Sequence, residues 1–205
     1  MKSLRIMLSV PLMLLSTIAF TQTQPAAQSQ SQKPAQPQTD SQNAFTILKS
    51  LAGTWEGKPT LDTPIDSKHD EQAPDLMQVS LRVTSRGNAL MHEMTGKDKP
   101  GPSNTATDDP ITMFYLDQDR LILTHFCDAG NRPRMVGRLS PDGKTVEFDF
   151  LDISGKMLTH HMQHAKFTVI DANHHTEDWT FQMGDKPVHA HIDLQRVNKQ
   201  EASAR

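Results

Sequence analysis

An all-β fold is what this 205-residue sequence predicts: an antiparallel up-and-down barrel of about ten strands, preceded by one short helix. Three observations lead there. Apolar and polar residues alternate at period two over most of residues 53–197, short turn sequences join the alternating segments, and no second segment of helical period interrupts them. Short connections force sequential antiparallel pairing, because a parallel pair needs a long crossover. A meander of that length has two exposed edges unless it closes on itself, so a barrel is favoured over an open sheet.

The helix comes first. Phe45, Leu48 and Leu51 or Ala52 recur at helical spacing, Asn43 stands where an N-cap is expected, and Gly53 stops the turn. GTWEG then begins an extended segment. In DLMQVSLRVTS, Met77, Val79, Leu81 and Val83 share one face. Arg86-Gly87-Asn88 turns the chain into ALMHEMTG, where Leu90, His92 and Met94 share a face. KDKPGPSNTATDDP reads as an exposed loop. ITMFYLDQ and RLILTHFCD form a hairpin around Asp117 to Arg120, and PRMVGRL and TVEFDFLD form another closed by Ser140-Pro141-Asp142-Gly143. HMQHAKFTVI, HTEDWTFQM and VHAHIDLQRV complete the set.

Outside the barrel domain, expected over 44–198, the sequence reads as appendages. Lys2 and Arg5 precede the apolar run IMLSVPLMLLSTIAF, the layout of a signal peptide spanning 1–21. The run is too short for a membrane span, and no cysteine adjoins it to carry a lipid. Residues 22–43, rich in Gln, Pro, Ala and Ser, are expected to be a disordered linker, and 199–205 a polar tail. The expected protein is secreted or periplasmic, with no stable membrane anchor.

Composition narrows the function. One cysteine cannot make an internal disulfide, so the fold must rest on its core. Loss of Lys2 and Arg5 with the signal moves the formal charge from −3 to −5, which argues against nucleic acid and anionic lipid as partners. The chain contains no nucleophile elbow, phosphate-binding loop, dinucleotide fingerprint or zinc-protease helix motif. Asp149 and Asp152 fall on opposite strand faces by simple alternation, which discourages a shared acid–base site.

Ten histidines are the compositional excess. On a strand, neighbours point to opposite faces, so alternation selects the inward ones. His92 is inward with Leu90 and Met94, His161 with Phe167 and Val169, and His175 and Glu177 with Trp179 and Phe181. HHMQH would present His160 and His164 together only on a helix, and its FTVI neighbour favours a strand. His125 and Cys127 stand two apart beside Leu121 and Leu123. They form either a thiol–imidazole pair, two metal ligands, or a stretch of barrel wall. Nothing in the sequence supplies an oxyanion hole, which favours the wall. Arg132 and Arg134 stand at the entrance to the next strand, where a barrel keeps a polar rim or a clamp for a ligand carboxylate.

The helix leading into Gly53-Thr54-Trp55, with Arg196 near the end of the last strand, resembles the calycin superfamily of lipocalins, fatty-acid-binding proteins and bacterial lipocalin-like proteins. In that superfamily a Gly-x-Trp opens the first strand, and an arginine from the end of the barrel packs over the tryptophan. The resemblance implies that Gly53, Trp55 and Arg196 close the base. Gly-Thr-Trp-Glu-Gly also resembles the opening of nitrobindins, ten-stranded barrels that bind heme through a histidine of the closing segment, where His189 stands. Alternation argues against that ligand: Val188, Ala190, Ile192 and Leu194 make the inner face, which leaves His189 outside.

The expected function is to hold a small, hydrophobic or amphipathic ligand without transforming it, with no cofactor. The residues expected to line the site are His92, His125, Cys127, Arg134, Phe148, Phe150, His161, Phe167, His175, Trp179 and Phe181. The alternative is a barrel that binds heme or a transition metal through its interior histidines.

Overall fold

A computed structural model describes residues 38–62, 76–96, 109–156 and 158–197 of the chain. The expected signal peptide, the linker up to residue 37, most of the loop after Gly96 and the polar tail lie outside the described residues.

Helix α1 (Asp40–Ser50) begins earlier than its hydrophobic spacing indicates, inside the expected linker. Thr39, not Asn43, is the cap. Thr39 Oγ1 accepts from the backbone N–H of Gln42 at 3.3 Å, and Gln42 Oε1 accepts from the Thr39 N–H at 2.9 Å. This reciprocal pair satisfies two donors that a helix start leaves open. Ala44, Phe45 and Leu48, followed by Leu51, form the buried face.

Ten strands follow: β1 (Gly53–Leu61), β2 (Met77–Thr84), β3 (Ala89–Gly96), β4 (Ile111–Asp117), β5 (Arg120–Phe126), β6 (Asn131–Leu139), β7 (Thr145–Gly155), β8 (His160–Asp171), β9 (His174–Met183) and β10 (Lys186–Arg196). Each pairs antiparallel with the next, and β10 returns to β1 with Trp55 opposite Arg196. The barrel is closed, so every ladder is paired and no edge is left for another chain to extend.

The two ends of the barrel differ. The base carries α1 and short connections such as Ser140 to Lys144, where Asp142 Oδ1 accepts from the Lys144 N–H at 3.1 Å. The opposite end, the mouth, is where β1 and β3 finish.

Packing inside the barrel is aromatic. Phe114, Phe148 and Phe167 meet with ring centroids 5.4 to 6.0 Å apart, and Phe167 meets Trp179 at 5.4 Å. Space for this is made at Gly137, where a methyl group would stand 2.6 Å from Phe148 Cε1 and 2.9 Å from Leu121 Cδ2. Among the described residues, no helix is long and apolar enough to cross a membrane.

Candidate ligand site in the barrel interior

The base of the site is the contact between the first and last strands. The Arg196 guanidinium carbon lies 4.0 Å from the centre of the Trp55 ring. Arg196 donates to the carbonyls of Ala52 and Ala172, both at 2.8 Å, and of Ser50 at 3.4 Å, while Trp55 Nε1–H donates to Leu51 O at 2.8 Å. Two of these acceptors, Ser50 and Leu51, belong to the carbonyl end of α1, so the stack also fastens the helix under the barrel. Gly53 leaves room for it: its φ is +147°, and a Cβ there would fall 2.3 Å from Arg196 Nη1.

Above that plug a file of polar side chains climbs the interior. His175 stands on Trp55, with ring centroids 4.2 Å apart, and its Nε2 is 3.0 Å from Glu177 Oε1. Glu177 is fully buried. It also meets His92 Nε2 at 3.0 and 3.1 Å and accepts from Trp179 Nε1–H at 3.0 Å. Burial alone would raise the Glu177 carboxyl. Its attraction to His92 and its hydrogen bonds with His175 and His92 outweigh that and hold it well below the usual carboxylate range. Glu177 is therefore an ionised carboxylate inside the barrel, with both oxygens engaged.

His92 and His125 flank Trp179, with ring centroids 5.6 and 5.9 Å from the indole. His125 Nδ1 is hydrogen-bonded to Thr112 Oγ1 at 2.9 Å. Burial, with the nearness of His92 adding to it, lowers the pKa of His125 to about 4, so it is a neutral imidazole at neutral pH. Closer to the mouth, His161 packs on Phe150 at 5.0 Å and bonds Gln163 Oε1 through Nε2 at 2.9 Å. Among the described residues, three buried ring nitrogens have no hydrogen-bond partner: Nδ1 of His92, of His161 and of His175.

The structure brings His92, His125, Phe148, Phe167, His175 and Trp179 together as buried interior residues, with His161 buried beside the half-buried Phe150 and with Phe181 half-buried on β9. It does not bring Arg134 to them. Arg134 lies on the outer face, paired with Asp152 at 2.5 and 2.8 Å. Cys127 lies beyond the end of β5, in the turn where its carbonyl accepts from the Gly130 N–H, so the two-residue spacing from His125 no longer sets its direction. Asp149 and Asp152 do not face opposite ways. A bulge in β7 opposite Arg134 and Met135 returns both to the outer face, where Asp149 pairs with Arg138.

Most of the remaining histidines are accounted for on the outside. His164 pairs with Glu147 at 3.0 Å, His174 with Asp193 at 3.0 Å and His191 with Asp178 at 2.6 Å. His189 is exposed and bonded to Thr180 Oγ1 at 2.9 Å, so it does not fit as an interior iron ligand. An outer cleft of about 510 Å³ runs among His164, Lys166, Asp178, Thr180, His189 and His191. Among the described residues, no three His, Cys, Asp or Glu side chains group so as to hold a metal ion.

Sequence reasoning placed Glu177 inward but gave it no part in the site. Its partner His92 is 85 residues away, and no local pattern announces that meeting. The available signal was the glutamate itself: a carboxylate in an apolar alternation must find donors.

A closed ten-stranded barrel with a helix under its base and an arginine stacked on the first-strand tryptophan fits the lipocalin-like, calycin-type class of β-barrels. A solved structure supports the fold, and a second is a fainter likeness. Rv2717c from M. tuberculosis matches with a TM-score of 0.53 at 13% identity, over 76% of this chain and 98% of its own. A protein of unknown function from the DUF3598 family of Nostoc punctiforme matches with a TM-score of 0.45 at 12% identity, over 73% of this chain and 49% of its own length. No family model matches the sequence, and no curated protein does.

Proposed function

We propose that this chain is an exported barrel that holds a small, largely apolar molecule without transforming it. The observation that carries this is the asymmetry of the barrel. One end is sealed by α1 and the Trp55–Arg196 stack, while Phe150, His161, Phe181 and His125 lie toward the other. An aromatic wall with a few fixed polar atoms is the usual make-up of a small-molecule site. Two measurements on the protein purified from its host test the proposal. Native mass spectrometry should show a bound mass that is lost on denaturation. The protein stripped of it should take up the neutral apolar dye Nile red at one equivalent, with quenching of tryptophan emission. A protein that carries nothing and takes up no dye would overturn the proposal.

A second function, heme or transition-metal binding by the interior histidines, draws on one feature. His92 and His175 are each held through Nε2 by a carboxylate while Nδ1 lacks a protein partner, which is how metal-bound histidines are oriented. Titration with hemin and assay for zinc, copper and iron separate the two. An unchanged Soret band with sub-stoichiometric metal ends the second.

A further inference from the structure

We infer that the barrel interior selects ligands whose polar head is an uncharged hydroxyl and discriminates against carboxylates. This inference rests on the ligand-holding function proposed above and specifies its ligand class. It stands on two features of the interior: which charges are buried there, and which polar atoms lack partners.

The charges come first. The buried polar side chains are His92, Thr112, Thr124, His125, Asn131, His161, His175 and Glu177; among the described residues, none is a lysine or an arginine. Arg134, the cation placed to clamp a ligand carboxylate on sequence grounds, is spent on Asp152 on the outer face. Arg196 is held at the base by Trp55 and three carbonyls. The interior therefore holds one fixed carboxylate, Glu177, and no permanent cation. Whether or not a proton on His92 balances Glu177, no counter-charge is left for a second anion. An unpaired carboxylate buried there would face a desolvation cost that its alkyl chain offsets only in part.

The open polar atoms then say which head is favoured. His92 gives Nε2 to Glu177, so Nδ1 is its remaining hydrogen-bonding atom. That atom is fully buried and unpartnered, on an inward-facing residue beside Trp179 and Phe167. A neutral His92 offers a lone pair at Nδ1, and a protonated one offers an N–H. A hydroxyl matches either, because it both donates and accepts. A hydrocarbon matches neither and leaves the nitrogen unsatisfied.

Competition against bound Nile red in the intact protein at pH 8 tests this without any variant. The competitors are 1-decanol, decanoate and decane. Decanol should displace the dye at a concentration at least ten times lower than decanoate and several times lower than decane. Decanoate matching or beating decanol would overturn the inference while leaving the ligand-holding function in place. Failure of Nile red to bind at all would overturn the function itself. His92→Leu removes Nδ1 and should bring decanol and decane to equal potency. If that variant does not fold, Glu177→Gln, which removes the interior charge, should narrow the gap between decanol and decanoate. An unchanged gap in a folded Glu177→Gln protein would overturn the electrostatic part.

Discussion

Arg196 and Trp55 are direct cross-strand partners on β10 and β1, and the guanidinium of one lies 4.0 Å from the ring centre of the other. The pair therefore closes the barrel twice, once as a ladder step and once as a stack that also binds the end of α1. Lysine keeps the charge but loses the planar fork that serves three carbonyls at once. Arg196→Lys should cost about 2 to 3 kcal/mol, through lost charge-assisted hydrogen bonds and stacking. Urea denaturation should show a lower midpoint at unchanged slope. A midpoint equal to wild type would mean that the base does not depend on the stack.

Gly137 gives a second, independent test of the core. Its missing side chain is what lets Phe148 and Leu121 meet across β6, so Gly137→Ala should overpack the interior and cost about 1 to 3 kcal/mol. Phe148→Leu trims the ring that the methyl group strikes first. The double variant should then lose less than the sum of the two single losses in thermal melts. Additive losses would place the strain elsewhere.

The same residues show what was legible in the sequence. Leu90, His92 and Met94, and Ala190, Ile192 and Leu194 with His191 and Asp193 between them, fall on the faces that alternation assigns, because period two and short turns are local properties. Alternation fails where a bulge shifts the count. The Asp149–Asp152 pair is misplaced by the bulge in β7. The helix start is hidden for a different reason. Thr39 and Gln42 form the cap, but their composition blends into the polar stretch before them. The interior site is the least legible part, since the meeting of His92 with Glu177 depends on how β3 and β9 lie across a closed barrel.

Glu177 is the centre of that site, and its removal should be felt at three donors. Glu177→Gln replaces one acceptor oxygen with an NH₂ group facing N–H donors. Trp179 can only donate, so the amide must turn its nitrogen toward a histidine and change that ring's tautomer. The expected loss is about 3 kcal/mol, in line with unpairing buried hydrogen-bonding groups around a carboxylate. Paired with His92→Leu, the two losses should be strongly non-additive, because both break the same contact. Near-UV circular dichroism should also change through Trp179. An unaltered spectrum with full stability would exclude Glu177 as the hub.

His125 makes the stability of the barrel depend on pH in a defined window. Its pKa is 6.5 when free and about 4 in the folded protein, so from pH 6.5 down to 4 the unfolded chain takes up a proton that the folded protein refuses. Stability is therefore fully present above 6.5 and falls with pH across that window, by about 3 kcal/mol in all. Glu177 acts in a lower range. Its folded pKa is depressed, so its contribution is present above its ordinary value of 4.5 and is lost as the pH falls below it. The two windows are separable by comparing wild type with His125→Gln. The difference between their unfolding free energies should be constant above pH 7 and shift by about 3 kcal/mol in favour of the variant between pH 6.5 and 4. A difference that stays flat across that window would show that His125 is not a neutral imidazole buried beside His92.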